Sequence, residues 1–292
     1  MIIDRLYESV KQKGPVCVGL DTSVEYMPEN IKESSESIED AIFEYNRNII
    51  DSTFDIAACY KVQIAYYEAL GIRGFEVYSK TLKYIKSRKG LVIADIKRGD
   101  IAKTAEMYAK AHFEGDFESD IVTLNPYMGL DTIAPYIPYI QQKHKGIFVL
   151  VRTSNGGAKD IQYLDTQQGG KVYRVVGEKL KTLGDKYLGK CGYSSIGGVM
   201  GCTHLEEGRE IRKHLDNTFF LIPGYGAQGG AAKDVAVYLK DGNGGVVNSS
   251  RGILMAYKKY TDGWKKYGEC ARMEVLKMRD GISHAVSEME KI

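Results

Sequence analysis

Short apolar runs rich in β-branched residues recur along the chain, each followed by a polar or glycine-bearing turn and then a longer amphipathic stretch. The runs predict eight strands, at 16–20, 56–62, 91–96, 121–124, 147–151, 196–200, 219–222 and 246–248. Between them, apolar residues spaced by three and four predict helices over 38–51, 78–86 and 101–112. Alternating β and α units build parallel sheets, and eight strands close a barrel. No internal repeat or low-complexity linker interrupts the alternation, and the polar segment 184–195 reads as a turn rather than a boundary. A length of 292 residues allows two domains, but the unbroken pattern predicts an α/β fold: a single (β/α)8 TIM-barrel domain over 1–292.

Barrel enzymes build their sites from the carboxyl ends of strands and the loops that follow, and the polar residues of this chain fall there. Asp21 follows the first strand, Lys61 interrupts the second, Asp95 and Lys97 end the third, and Asn125 follows the fourth. The fifth runs into Arg152, Ser154 and Asn155, the seventh into Gln228, and the eighth into Arg251. The third strand, in L-V-I-A-D-I-K-R-G-D-I, is the most telling. Period-two alternation puts Asp95 and Lys97 on one face, and Asp100 follows where the chain leaves the strand for a helix. One such pair is ordinarily a salt bridge; a second carboxylate makes the cluster costly to desolvate and points to chemistry. Lys61, in the apolar run A-A-C-Y-K-V-Q-I-A, needs a buried partner such as Asp95. Asp21 and Asn125 each have an ordinary alternative as cap or turn residues, and Arg152 as a solvated or bridging charge.

The glycine-rich loop 224–230 exposes backbone amides, and Arg251 in S-S-R-G-I lies beside it in a barrel. Barrels frequently bind phosphate after strands seven and eight, and an arginine fork matches phosphate oxygens; together these features predict a phosphate site. A formal charge of +2, with both signs interspersed, offers no basic face for nucleic acid. No apolar run has membrane-spanning length and the start M-I-I-D-R-L-Y-E lacks signal-peptide organisation, so a cytoplasmic protein with a small ligand is expected. The five cysteines (17, 59, 191, 202 and 270) have no pairing or zinc spacing and read as reduced, with Cys17 and Cys59 as packing residues. The five histidines are dispersed, without metal-ligand spacing; His204, after the sixth strand, reads as a surface or capping residue.

The segments G-L-D-T-S, Y-K-V-Q, A-D-I-K-R-G-D-I, T-L-N-P-Y-M-G, R-T-S-N, P-G-Y-G-A-Q-G-G and N-S-S-R-G-I, in this order over nearly the whole chain, resemble the longer-chain subgroup of the orotidine 5'-phosphate decarboxylase family. The D-x-K-x-x-D motif is the most specific, yet it is shared with a wider suprafamily that includes 3-keto-gulonate 6-phosphate decarboxylase. The resemblance implies cofactor-free decarboxylation of orotidine 5'-monophosphate in de novo pyrimidine biosynthesis, with Lys97 as proton donor and Asp95 and Asp100 completing a charge array. It further implies that Asp21 and Lys61 contact ribose hydroxyls, Ser154 the pyrimidine edge, and Gln228 and Arg251 the 5'-phosphate, Asn125 also standing at the substrate site. Asp100, Ile101 and Thr104 would reach into the neighbouring subunit's site of a homodimer. Gly156 departs from the pattern, since many relatives carry proline after S-N, and it bears on loop stiffness. The alternatives are a metal-dependent sugar-phosphate decarboxylase of the suprafamily and a non-catalytic phosphonucleotide-binding barrel.

Overall fold

In the computed structural model, which describes residues 1–167, 169–202, 205–226, 231–289 and 291, eight parallel strands follow one another around a closed barrel. They are β1 (Val16–Gly19), β2 (Cys59–Gln63), β3 (Val92–Arg98), β4 (Ile121–Leu124), β5 (Gly146–Arg152), β6 (Ser194–Met200), β7 (Thr218–Ile222) and β8 (Gly245–Ser249). Pairing of β1 with β8, Cys17 opposite Asn248, closes the ring. All eight predicted strands are present. The second starts at Cys59 rather than residue 56, because the amides of Ile56 and Ala57 turn back onto the Thr53 carbonyl and are spent before pairing begins.

The three predicted helices are Ile38–Thr53, Gly71–Ser87 and Ala102–Phe113. The first is capped by Ser37, whose hydroxyl accepts from the Asp40 amide at 3.1 Å, and buries Ala41, Ile42, Tyr45, Ile49 and Ile50 on one face. The second begins seven residues before the expected start. Gly71 and Gly74 in its first turn weaken the helical signal in sequence; Gly74 lies so close to the Tyr67 carbonyl that a Cβ would collide with it. The helices outside the predicted set include α1 (Ile2–Lys13) and the long C-terminal helix Tyr267–Met289.

The strand residues split by parity into two cores. One set, including Val18, Tyr60, Val92, Ala94, Val122, Val149 and Phe220, packs against the surrounding helices. The other set, Cys17, Cys59, Ile93, Ile121, Phe148, Phe219 and Val246, packs with Ile2, Ile3, Leu6 and Val10 of α1, which closes the amino end of the barrel. Phe148 fills space that Gly197 leaves open, for a Cβ there would come within 2.4 Å of its ring. Farther along the same inward rows the residues become Lys61, Asp95, Lys97, Thr123 and Asn248, so the barrel is solid apolar core at one end and polar at the carboxyl end. All five cysteines are free, with Cys17 and Cys59 buried side by side in register. Among the described residues no helix is long and apolar enough to cross a membrane.

Candidate active site

The carboxyl mouth holds a cavity of about 540 Å³ lined by residues within or just past all eight strands. At its base stands the Asp95 carboxylate, 6% exposed and saturated with donors. Its Oδ1 accepts from the Lys97 ammonium at 2.6 Å and the Thr123 hydroxyl at 2.8 Å; its Oδ2 accepts from Lys61 at 3.1 Å and from Gln63 Nε2 at 2.9 Å. A carboxylate has about four lone-pair sites, and all four are used. Burial pushes the Asp95 pKa up, but the Lys61 and Lys97 charges and the bonds from Lys97 and Thr123 outweigh it and hold it at about 2. Lys61, 3% exposed, also donates to Asp21 Oδ1 at 2.7 Å. Its burial favours the neutral amine, yet Asp21 and Asp95 outweigh this and raise its pKa, so the ammonium is firmly charged. Asp21 Oδ2 in turn accepts from the Ser250 hydroxyl at 2.8 Å, an approach possible because Gly19 has no Cβ to meet that oxygen.

Ser154, Thr153 and Asn155 form another wall of the cavity. The Gln162 amide braces this loop: its oxygen accepts from the Thr153 amide at 2.8 Å and its nitrogen donates to the Thr153 hydroxyl at 2.7 Å. A Cβ at Gly156 would meet nothing within 4 Å, so its lack of a side chain reflects no crowding. Beside them lie Gly224, Tyr225, Ser249 and Arg251. Arg251 is exposed and has no carboxylate partner among the described residues. Asn248 lines the same cavity, and its buried Oδ1 has no hydrogen-bond partner among the described residues.

The structure thus brings Asp21, Lys61, Asp95, Lys97, Ser154 and Arg251 to one cavity. Asp100, Ile101 and Thr104 lie outside its wall; Asp100 Oδ1 accepts from the Ile101 amide at 2.8 Å, and Ile101 and Thr104 are exposed. Asn125 also lies outside the wall, because its side-chain oxygen turns back to accept from the Tyr127 amide at 3.0 Å, the turn role open to it from sequence. Arg152 is fully buried and bridges: it donates to Glu207 at 2.6 Å, to the Tyr238 hydroxyl at 2.7 Å and to the Gly201 carbonyl. Gln228 and His204 lie outside the described residues. The sequence reading overlooked Gln63, Thr123, Asn248 and Ser250; strand parity carries the signal, since Gln63 stands two beyond Lys61 and Thr123 opposes the end of β3. Among the described residues no group of three or more His, Cys, Asp or Glu is placed to hold a metal ion.

Comparison with known proteins places the chain in a family. A family model described as orotidine 5'-phosphate decarboxylase / HUMPS family matches residues 14–264. The chain is similar to proteins named orotidine 5'-phosphate decarboxylase from Clostridium kluyveri, 71% identical with 97% of each chain covered, and from Clostridium perfringens, 64% identical with 98% of this chain and 99% of the relative covered. Among solved structures it resembles the OMP decarboxylase of Leishmania donovani at 26% identity and a TM-score of 0.75, covering 98% of both chains. It also resembles the UMP synthase of that organism at 30% identity and a TM-score of 0.75, covering 95% of this chain and 56% of that one. With the family model spanning most of the barrel and relatives this similar along their full length, the chain belongs to the orotidine 5'-phosphate decarboxylase / HUMPS family.

Proposed function

We propose that the chain decarboxylates orotidine 5'-monophosphate to uridine 5'-monophosphate and CO2 without a cofactor, as a step of de novo pyrimidine biosynthesis. The observation that carries this reading is the Lys61–Asp95–Lys97 array at the base of a cavity whose wall also bears an uncommitted arginine. The names of the full-length relatives support it.

Breaking the bond between the ring carbon and its carboxylate leaves the electron pair on a carbon with no adjacent electron sink. Lys97 supplies a cation where that charge develops and then transfers its proton to the carbon, regaining one from solvent after turnover. Asp95, ionised across the physiological range, keeps the Lys97 ammonium aimed. Asp21 and Lys61 contact the ribose hydroxyls. Ser154 meets the pyrimidine edge, and Arg251 with Gln228 holds the 5'-phosphate, whose binding energy helps to align the reacting ring.

Asp100, Ile101 and Thr104 act on the neighbouring subunit's site in a cytoplasmic homodimer. Their position outside the wall of their own cavity supports this assignment. So does the exposure of Ile101 and Met107 after β3 and of Tyr127 and Met128 after β4, apolar surface suited to a two-fold interface.

The test is incubation of purified protein with orotidine 5'-monophosphate in the presence of a chelator, followed through the change in pyrimidine absorbance. Turnover undiminished by chelator is expected. Absence of turnover, or turnover that needs an added divalent metal, would contradict the proposal.

A further inference from the structure

The strand that carries Lys97 is irregular where its chemistry lies. Ala94 of β3 pairs with Val122 of β4 and Arg98 with Leu124, so four steps along β3 are set against two along β4. The surplus residues form a bulge, and Lys97 within it has a φ of 46°, in the left-handed region that a lysine rarely adopts. A bulge takes backbone amides off the ladder, and buried amides need other acceptors. Here both orphans find the same one: the amides of Ile96 and Lys97 each donate to Thr123 Oγ1 at 2.9 Å. That hydroxyl spends its own proton on Asp95 Oδ1 at 2.8 Å, the oxygen to which Lys97 Nζ donates at 2.6 Å. Its one donor and two acceptor sites are therefore all used, and Thr123 is 1% exposed.

We propose that Thr123 is a positioning residue for the decarboxylation: its hydroxyl clamps the bulged backbone of Ile96 and Lys97 and, through Asp95, the ammonium that the same backbone carries. Both ends of Lys97 are thus referred to one atom of β4. The rigid χ1 of a β-branched residue and its place on a barrel strand hold that atom fixed. Hydrophobic replacement of the hydroxyl leaves the shape of the side chain but orphans two amides and removes a donor from Asp95. Lys97 then loses its fixed direction, while the phosphate end of the cavity, built from other strands, is untouched. This inference rests on the reading of Lys97 as proton donor.

The experiment compares the parent with Thr123→Val and Thr123→Ser in two arms. Crystal structures report the Lys97 φ and the Lys97 Nζ to Asp95 separation; kinetics report kcat for orotidine 5'-monophosphate and the Kd for uridine 5'-monophosphate. Thr123→Val is expected to release the Lys97 backbone and to lower kcat at least 30-fold while changing the Kd by less than threefold, and Thr123→Ser to restore both geometry and rate. An unmoved Lys97 in Thr123→Val overturns the proposal, as does a loss of rate matched by the loss of nucleotide affinity or not rescued by serine. If Thr123→Val does not fold, Thr123→Ala makes the same deletion without a methyl group beside the carboxylate; failure of both while serine folds makes the hydroxyl purely structural and also overturns it. A parent without turnover would sink the decarboxylase reading alone, since the crystallographic arm still decides whether Thr123 holds Lys97.

Discussion

The Lys97 ammonium and the Arg251 guanidinium are asked to do different work, and their surroundings differ accordingly. Lys97 is tied to a carboxylate held near pKa 2, whereas Arg251 has no carboxylate partner among the described residues. Lys97→Ala should abolish turnover while leaving uridine 5'-monophosphate binding nearly intact, because in the proposed mechanism the charge it stabilises appears on the way to the transition state. Near-normal turnover, or joint loss of binding and fold, would remove it from the proton-donor role. Arg251→Ala should raise KM roughly 10- to 150-fold, the equivalent of a charge-assisted bond of about 1.5 to 3 kcal/mol. Against an analogue lacking the phosphate, variant and parent should behave alike; equal damage with both substrates would make Arg251 structural. Charged residues at strand ends were legible in the sequence because burying them is costly. Thr123 and Asn248 were not, since a threonine or asparagine in a strand carries no such signature and only the barrel's parity turns it inward.

At the scale of elements, strand existence and order followed from hydrophobic pattern alone, while edges and additional helices did not. The start of β2 depended on a turn hydrogen bond to Thr53, and the start of Gly71–Ser87 on glycines whose packing, not propensity, makes them helical. The bulge in β3 was likewise invisible, because its extra residues read as continued alternation. The helix Ala102–Phe113, which follows that bulge, carries a pH sensitivity of its own. His112 is 3% exposed, stacks on Phe117 and has no partner for Nδ1 among the described residues. Burial, with a smaller contribution from the Arg98 charge, lowers its pKa to about 4. The unfolded chain, with a histidine pKa of about 6.5, therefore binds the proton first as pH falls. His112 contributes stability fully present above pH ~6.5 and lost progressively toward pH 4, up to about 3 kcal/mol. Chemical denaturation at pH 7 and pH 5 should show this loss in the parent and a smaller one in His112→Phe; identical slopes would mean that His112 is protonated as easily in the fold as outside it.

For the whole molecule, the division between an apolar end plugged by α1 and a polar carboxyl mouth explains how one barrel is both stable and reactive. Asp100 and Ile101 sit in the motif, with Thr104 three residues farther on, and all three lie outside the wall of their own cavity. If two subunits complete each site, Lys97→Ala and Asp100→Ala damage different halves of it, so a heterodimer of the two variants has one site with both lesions and one with none. The most direct measurement of the account is therefore the rate of orotidine 5'-monophosphate decarboxylation after subunit exchange between these two homodimers. Each alone should be nearly inactive, and mixing should restore up to about half the parent rate per heterodimer when sites act independently. Exchange confirmed by mass with no activity regained would contradict it.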